Sequence, residues 1–275
     1  MKIRKRILPR VASDLGAFLF VLLIIPVTYC FELFIVLPAL HSVWSFWYTL
    51  HFICATYVMV NVTSNFVAVV VVDTSLQNIV TASSQPENWR YCTECETVAP
   101  PRSWHCDTCK TCILKRDHHC MFTGCCVGHY NYRYFYMFLL YVFIGTFYST
   151  YLNCFYIWKN FEHFSLLGIT KFIFPMAMLV LGVDATEKQV CLLIFIINFV
   201  GAIFTLVLLV HHTSLVCKGM VTHEKSKNIT YYDSGLKKNL SQTFGKRWHI
   251  SWLFPFVASE LPNDGTDWND LQKTD

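Results

Sequence analysis

Residues 92–126 read CTECETVAPPRSWHCDTCKTCILKRDHHCMFTGCC, and they hold eight of the chain's 13 cysteines together with three histidines. A tetrahedral zinc site takes four Cys or His ligands, and two residues between paired cysteines let both sulfurs reach one ion from a tight turn. Two sites would use eight ligands. Cys92, Cys95, His105, Cys106, Cys109, Cys112 and His119 supply seven, and either Cys125 or Cys126 supplies the eighth. The competing reading is a core of free cysteines and histidines. Few apolar residues lie between the ligands, so a segment this poor in core material needs metal to fold. Thiols on the cytosolic side stay reduced, which favours metal over disulfides.

Outward from this segment the chain is apolar on both sides. Hydrophobic residues make up 54% of the whole and charged residues 15%, against about 25% charged in an ordinary soluble domain. Crossing the hydrocarbon layer takes about 20 apolar residues in a helix. Four blocks qualify: 15–40, which contains Pro26 and Glu32, and the uncharged blocks 43–72, 134–158 and 190–210. A fifth, 172–183, is bracketed by Lys171 and Asp184 and is short enough to read as re-entrant or interfacial. The first block is long and lacks a small-residue cleavage site after it, so no cleavable signal peptide is read. With four spans, 19 of the 22 Lys and Arg residues share one side, and only Lys159, Lys171 and Lys188 face the other. The positive-inside rule makes the first side cytosolic.

The expected fold class is therefore an all-α multi-pass membrane protein with four transmembrane helices and a small cytosolic zinc-stabilised cysteine-rich domain. Its parts are a basic N-terminus (1–14), helices one and two (15–72), the cysteine-rich zinc-binding domain (73–133), helices three and four with their loop (134–210), and a cytosolic C-terminal region (211–275). Residues 85–88 read as a linker and the last sixteen residues, rich in acids, as a frayed tail. No internal repeat is evident. No nucleic-acid partner is expected, since residues 73–133 balance six basic against six acidic residues and lack a basic recognition helix.

Eight ligands leave His118 and Cys120 over. Asp117-His118-His119-Cys120 puts a thiol beside an imidazole and a carboxylate. The thiolate is the nucleophile, an imidazole can take the thiol's proton, and a carboxylate can hold that imidazole in the useful tautomer. Neighbours in sequence need not touch, so these are ingredients without a geometry. The bland reading makes both residues further ligands or bystanders.

With this tetrapeptide on the page, the sequence resembles the DHHC family of protein S-acyltransferases (palmitoyltransferases). The likeness runs from Cys92 through His105-Cys106, Cys109, Cys112, the tetrapeptide, Cys126-Val127-Gly128, Asn131 and Phe135, and the order of spans agrees. The resemblance implies Cys120 as acyl-accepting nucleophile, His118 as general base and Asp117 as the group orienting it. It implies two structural Zn²⁺, one on Cys92, Cys95, His105 and Cys112, the other on Cys106, Cys109, His119 and Cys126. Palmitoyl-CoA would be the donor, membrane-associated proteins with cytosolic cysteines the acceptors, and the Golgi or endoplasmic reticulum the setting. Val221-Thr222-His223-Glu224 keeps part of a family Thr-Thr-x-Glu motif, and Asn239 with Phe244-Gly245 resembles a C-terminal asparagine-aromatic motif; both imply supporting roles.

The chain departs from the family after the tetrapeptide, with Met121-Phe122 for Pro-Trp, and again at Gly124-Cys125 where asparagines are usual. Phe122 keeps an aromatic face at the acyl site without the indole donor. Lys115, Arg116, Arg133 and Lys218 are the cations available to the CoA phosphates, each also readable as a juxtamembrane anchor. Gly145, a few turns into the third span, would leave room for an acyl chain or serve helix packing. His211 and His212 read as interfacial. The departures keep an alternative in play, a catalytically weakened zinc-binding membrane scaffold, and a membrane ubiquitin-ligase-like zinc module is a more distant one.

Overall fold

The computed structural model describes residues 2–76, 88–160, 174–180, 182 and 187–268. Four helices are long and apolar enough to cross a membrane: Ala12–Leu40, Phe46–Val71, Tyr132–Asn160 and Gln189–Cys217. At 1.5 Å per residue, 29 residues reach about 43 Å, well over the ~30 Å hydrocarbon layer. The chain is a multi-pass membrane protein. The helices are α1 (Ala12–Phe31), α2 (Leu37–Leu40), α3 (Phe46–Val71), α4 (Tyr132–Asn160), α5 (Pro175–Val180), α6 (Glu187–Cys217), α7 (Thr222–Ser226) and α8 (Leu236–Phe244). A π-helical turn, Glu32–Val36, joins α1 to α2. The last span runs seven residues beyond the end expected at 210. Within the 172–183 stretch only α5 and Gly182 are described, along with Phe174. The remainder of that stretch and most of the 85–88 linker lie outside the described residues.

The chain divides into two compact units. One comprises 22–60 and 139–208. Its apolar core gathers Phe31, Val36, Leu152, Tyr156, Cys191 and Ile194. Glu32 is buried, as a carboxylate inside a span must be if it is to find partners. Ser149 Oγ and Asn153 Nδ2 of α4 both donate to its Oε1, and Asn198 Nδ2 of α6 donates to Ser149 Oγ at 2.9 Å. Gly145 serves packing here, since a Cβ would lie 3.3 Å from Val58 Cγ1.

The other unit comprises 1–21, 61–138 and 209–275. Its cysteine-rich part is not helical. It forms three separate antiparallel hairpins: β1 (Arg90–Cys92) with β2 (Thr97–Ala99), β3 (Trp104–Cys106) with β4 (Thr111–Ile113), and β5 (His118–Cys120) with β6 (Cys125–Val127). Lone two-stranded hairpins are marginal in water. The buried clusters here are small, with Leu76, Ala99, Cys112 and Leu114 in one and Cys106, Ile113 and Cys126 in another.

The hairpins correct the expectation that the chain has no repeat. Their pairings superpose with a shift of fourteen residues: Cys92↔Thr97, Cys106↔Thr111 and Cys120↔Cys125 are equivalent, as are Tyr91↔Val98, His105↔Cys112 and His119↔Cys126. The turns agree as well, with Glu96, Lys110 and Gly124 all in the left-handed region (φ +48°, +54° and +60°). Tyr91, Val98 and Thr123 break the Cys/His pattern at the two ends of the array, which hides the period from a reader of letters.

The carboxyl-terminal region is also more ordered than expected. Trp268 is 2% exposed, edge-on to His129, and the Arg102 guanidinium lies 4.6 Å above its ring. Tyr130 Oη donates to Asp264 O at 2.7 Å. The segment from Glu260 to Trp268 thus packs against Arg102, His129 and Tyr130, beside the hairpins.

Candidate active site

Strand geometry sorts the tetrapeptide. Side chains alternate across a strand, so His118 and Cys120 of β5 share one face and His119 points to the other. Cross-strand pairing then joins His119 to Cys126, while Cys125 stands opposite Cys120. This parity distinguishes the two candidates for the eighth ligand. Cys126 Sγ lies 3.7 Å from both Cys109 Sγ and His119 Nδ1, whereas Cys125 Sγ faces Val69 O at 3.6 Å.

Two groups of four ligand atoms come together, each within 4.8 Å: Cys92, Cys95, His105 and Cys112, and Cys106, Cys109, His119 and Cys126. A zinc tetrahedron with ~2.3 Å sulfur bonds has edges of roughly 3.8 Å, shorter where a nitrogen is involved. The distances from His105 Nδ1 to Cys92 and Cys95 are 3.8 and 3.2 Å, and from His119 Nδ1 to Cys106 and Cys109 they are 3.6 and 3.3 Å. The donor chemistry and spacing fit zinc. Each group takes its C-x2-C pair from one hairpin and its His and Cys from the next, so the ions would tie the three hairpins in series. Asp14 of α1, a residue the sequence gave no reason to single out, accepts from His119 Nε2 at 2.8 Å. A carboxylate behind a ligating imidazole fixes its ring and raises its basicity.

On the opposite face of β5, His118 Nδ1 donates to Asp117 Oδ2 at 2.7 Å. Asp117 is in turn held by Thr222, whose N–H donates to Oδ1 at 2.8 Å and whose hydroxyl lies 3.1 Å from both oxygens. Burial works against the Asp117 charge, but the His118 bond and charge outweigh it and hold the carboxyl below its usual range. Burial likewise opposes charge on His118, yet its bonds to Asp117 and Cys120 push it up to about 9. Cys120 shifts the other way: burial raises the thiol, and His118 together with the Thr123 hydroxyl and amide brings it below the ordinary value. The two shifts have one cause, the contact between sulfur and imidazole, and both favour transfer of the thiol proton to His118.

His212 of α6 was read as interfacial. It is 3% exposed, its ring 5.6 Å from His118 and 5.0 Å from Phe135, and its Nδ1 is hydrogen-bonded to Tyr132 Oη at 2.8 Å. Phe135 packs edge-on to His118 at 5.1 Å. Nothing local in the sequence marks this contact, because α6 lies far along the chain.

The tail motif has a direct physical role. Arg102, in the left-handed region (φ +64°), pairs with Glu224 through Nε–Oε1 and Nη2–Oε2, both 2.7 Å, and its Nη2 also reaches Gly219 O at 2.8 Å. Tyr232 and Trp268 cover the guanidinium. Removing one partner from a buried pair strands the other charge, at a typical cost of 3–5 kcal/mol. Glu224→Ala should therefore cost about that much and release Trp268, read as a rise in its solvent quenching. Unchanged stability and quenching would show the pair to be idle. Asn239 anchors the same region: Nδ2 donates to Cys217 O and to Asp233 Oδ1, both at 2.8 Å, and Ser234 N–H donates to Oδ1 at 3.1 Å. Phe244 packs edge-on to Tyr136. Asn131 joins hairpin to span, donating to Val69 O and Cys126 O and accepting from Gly128 N–H.

The cations expected at the CoA phosphates fare unequally. Lys115 is 7% exposed with its Nζ 5.5 Å from the Trp268 ring, and burial, helped by the Arg102 charge, lowers it to about 7. Arg116 is half-buried against Cys126 and Cys106. Arg133 donates to Ser259 O at 2.7 Å and to the Tyr134 hydroxyl. Lys218 alone of the four is exposed. Phe122 sits half-buried in the β5–β6 turn next to Met121, which is 44% exposed.

Comparison with known proteins follows the same line. The family profile described as DHHC palmitoyltransferase matches residues 85–229. A zebrafish (Danio rerio) protein named "Probable palmitoyltransferase ZDHHC24" is 36% identical over 225 residues, 81% of this chain and 76% of that protein. Its mouse (Mus musculus) counterpart is 34% identical, covering 77% and 75%. The Arabidopsis thaliana "Probable protein S-acyltransferase 12" is 35% identical over 176 residues, 62% of this chain and 55% of that protein.

Proposed function

Because the chain belongs to the DHHC palmitoyltransferase family and so is a protein S-acyltransferase, we propose that it moves palmitoyl from palmitoyl-CoA to protein cysteines through an acyl-enzyme on Cys120. The observation that carries this reading is the hydrogen-bonded series Thr222–Asp117–His118 ending at a buried thiol.

In the first step the Cys120 thiolate attacks the thioester carbonyl, the bond from carbonyl carbon to CoA sulfur breaks, and the His118 imidazolium returns its proton to the departing CoA thiolate. In the second step His118 takes the proton of an acceptor cysteine, that sulfur attacks the acyl-enzyme, and Cys120 leaves as thiolate. Asp117 keeps the His118 proton on Nδ1 so that Nε2 serves the sulfurs, and Thr222 keeps Asp117 in place. Zinc, when bound, supplies a structural crosslink between hairpins and takes no part in the proton transfers. Cys92, Cys95, His105 and Cys112 would hold one ion, and Cys106, Cys109, His119 and Cys126 the other. Of the four cations considered for the CoA phosphates, Lys218 is the exposed one and would serve there.

The charge asymmetry supports a cytosolic placement of both termini and of the hairpins. The Golgi or endoplasmic reticulum is the setting, and membrane-associated proteins with cytosolic cysteines are the acceptors. Purified protein incubated with an alkyne-tagged palmitoyl-CoA should acquire a label that hydroxylamine removes, and the Cys120→Ser variant should acquire none. An unlabelled wild type retaining two zinc ions per chain would instead support the scaffold reading.

A further inference from the structure

The amino-terminal arm takes no part in the chemistry above, yet it is built into the fold. Arg4 N–H donates to Val71 O at 2.8 Å, Asp73 N–H donates to Lys2 O at 2.9 Å, and Ile3 bridges Val72. The Arg4 guanidinium curls the arm by donating to Arg6 O at 3.1 and 2.8 Å and to Ile7 O at 3.2 Å. Pro9 is buried against Gly124, where an added Cβ would lie only 2.4 Å from Pro9 Cγ. Gly124 thus has a reason in this chain: its left-handed turn has to admit a proline ring.

A cavity of about 110 Å³ lies between the arm and the second hairpin. On the same measure a water needs ~10–15 Å³, so a group much larger than water fits. Arg4, Lys5, Arg6 and Arg10 line its arm side and Ser75 and Thr108 stand in its wall, while Cys109, His119 and Cys126 of the second ligand group close the opposite side. The carboxylate in the wall, Asp73, accepts the Ser75 N–H at 2.9 Å. Arg4 is held by the arm's own carbonyls, which leaves Lys5, Arg6 and Arg10 as the cations of this concavity, and cations beside hydroxyls are the chemistry of phosphate recognition. The arm's other residues point to the kind of phosphate. Ile3, Ile7 and Leu8 flank the Arg4-Lys5-Arg6 run and are 65%, 44% and 62% exposed. The cavity lies where α1 begins and α3 ends, at the ends of two helices long and apolar enough to cross a membrane. A soluble phosphate gains nothing from exposed apolar side chains, whereas a lipid interface does.

We propose that this cavity binds the phosphorylated headgroup of an anionic phospholipid, with the apolar residues of the arm resting in the interface beside it. The test is binding of fluorescent dioctanoyl phosphatidylinositol bisphosphate to the full-length chain in detergent. Saturable binding is expected, weakened about 30-fold in Arg6→Gln/Arg10→Gln, at roughly fivefold per charge. Ser75→Asp, which leaves the arm intact and adds a negative charge to the wall, should weaken it as well. Zinc content equal to wild type establishes that both variants are folded. Inositol trisphosphate and CoA form the soluble arm and should compete poorly. Equal affinity in the wild type and both variants, or no saturable binding, would overturn the site. Soluble phosphates binding as tightly as the lipid would overturn the lipid assignment.

Discussion

Stripping the metal from the protein should unfold the three hairpins while the four spans stay helical. Structural zinc contributes about 10–16 kcal/mol in small zinc-folded peptides at neutral pH, far more than clusters of three or four buried apolar side chains can supply. The spans draw their stability from the bilayer and have no ligand in either group. Chelation should therefore abolish acyl transfer with little loss of helical circular dichroism. The parity of β6 sharpens the expectation. Cys126→Ser should lose one of two zinc equivalents, because Cys126 faces Cys109 and His119. Cys125→Ser should keep both, because Cys125 faces Val69 O. Metal analysis giving the reverse result would mean that the register of the third hairpin is wrong.

His118→Ala should slow formation of the acyl-enzyme by about 10²–10⁴, the usual contribution of a positioned base, with both zinc equivalents retained. The pH profile separates this from a loss of fold. In the wild type His118 stabilises the Cys120 thiolate, so the rate should already be high below the ordinary thiol pKa of about 8.5. Without His118 only the Thr123 hydroxyl and amide oppose the effect of burial on the sulfur, so the residual rate should climb at higher pH than in the wild type. Asp117→Asn, which leaves His118 without its anion, should fall between the two. A His118→Ala profile parallel to the wild type would remove His118 from the role of base.

The four apolar helices and the Cys and His residues that gather into two groups were legible in the sequence because each rests on residue type. Uncharged blocks of sufficient length have few other uses, and clustered Cys and His have few other reasons to cluster. What escaped depends on contacts between distant parts of the chain. Thr222 meets Asp117 across 105 residues, Asp14 meets His119 across 105, and Arg102 meets Glu224 across 122. The half-kept threonine motif drew attention to the right segment without revealing that Thr222 grips the carboxylate. The acidic composition after Glu260 concealed Trp268, the buried side chain of the packed segment. The pairing of ligands into two groups came from family likeness, since spacing allows several pairings; the alternation of β5 and β6 explains it afterwards.

The fourteen-residue register has one more implication. In each hairpin the fourth residue of the turn offers its amide to the first sulfur, Cys95 to Cys92, Cys109 to Cys106 and Thr123 to Cys120. The first two sulfurs would hand their charge to an ion completed by the following hairpin. After the third, counting fourteen onward from His119 and Cys126 reaches Arg133 and Leu140, and both lie in helix α4. No successor arrives to complete a site. The nucleophile is thus the last member of an interrupted series, a position shaped to stabilise a sulfur anion at which the chain turns into a membrane helix before anything can claim it.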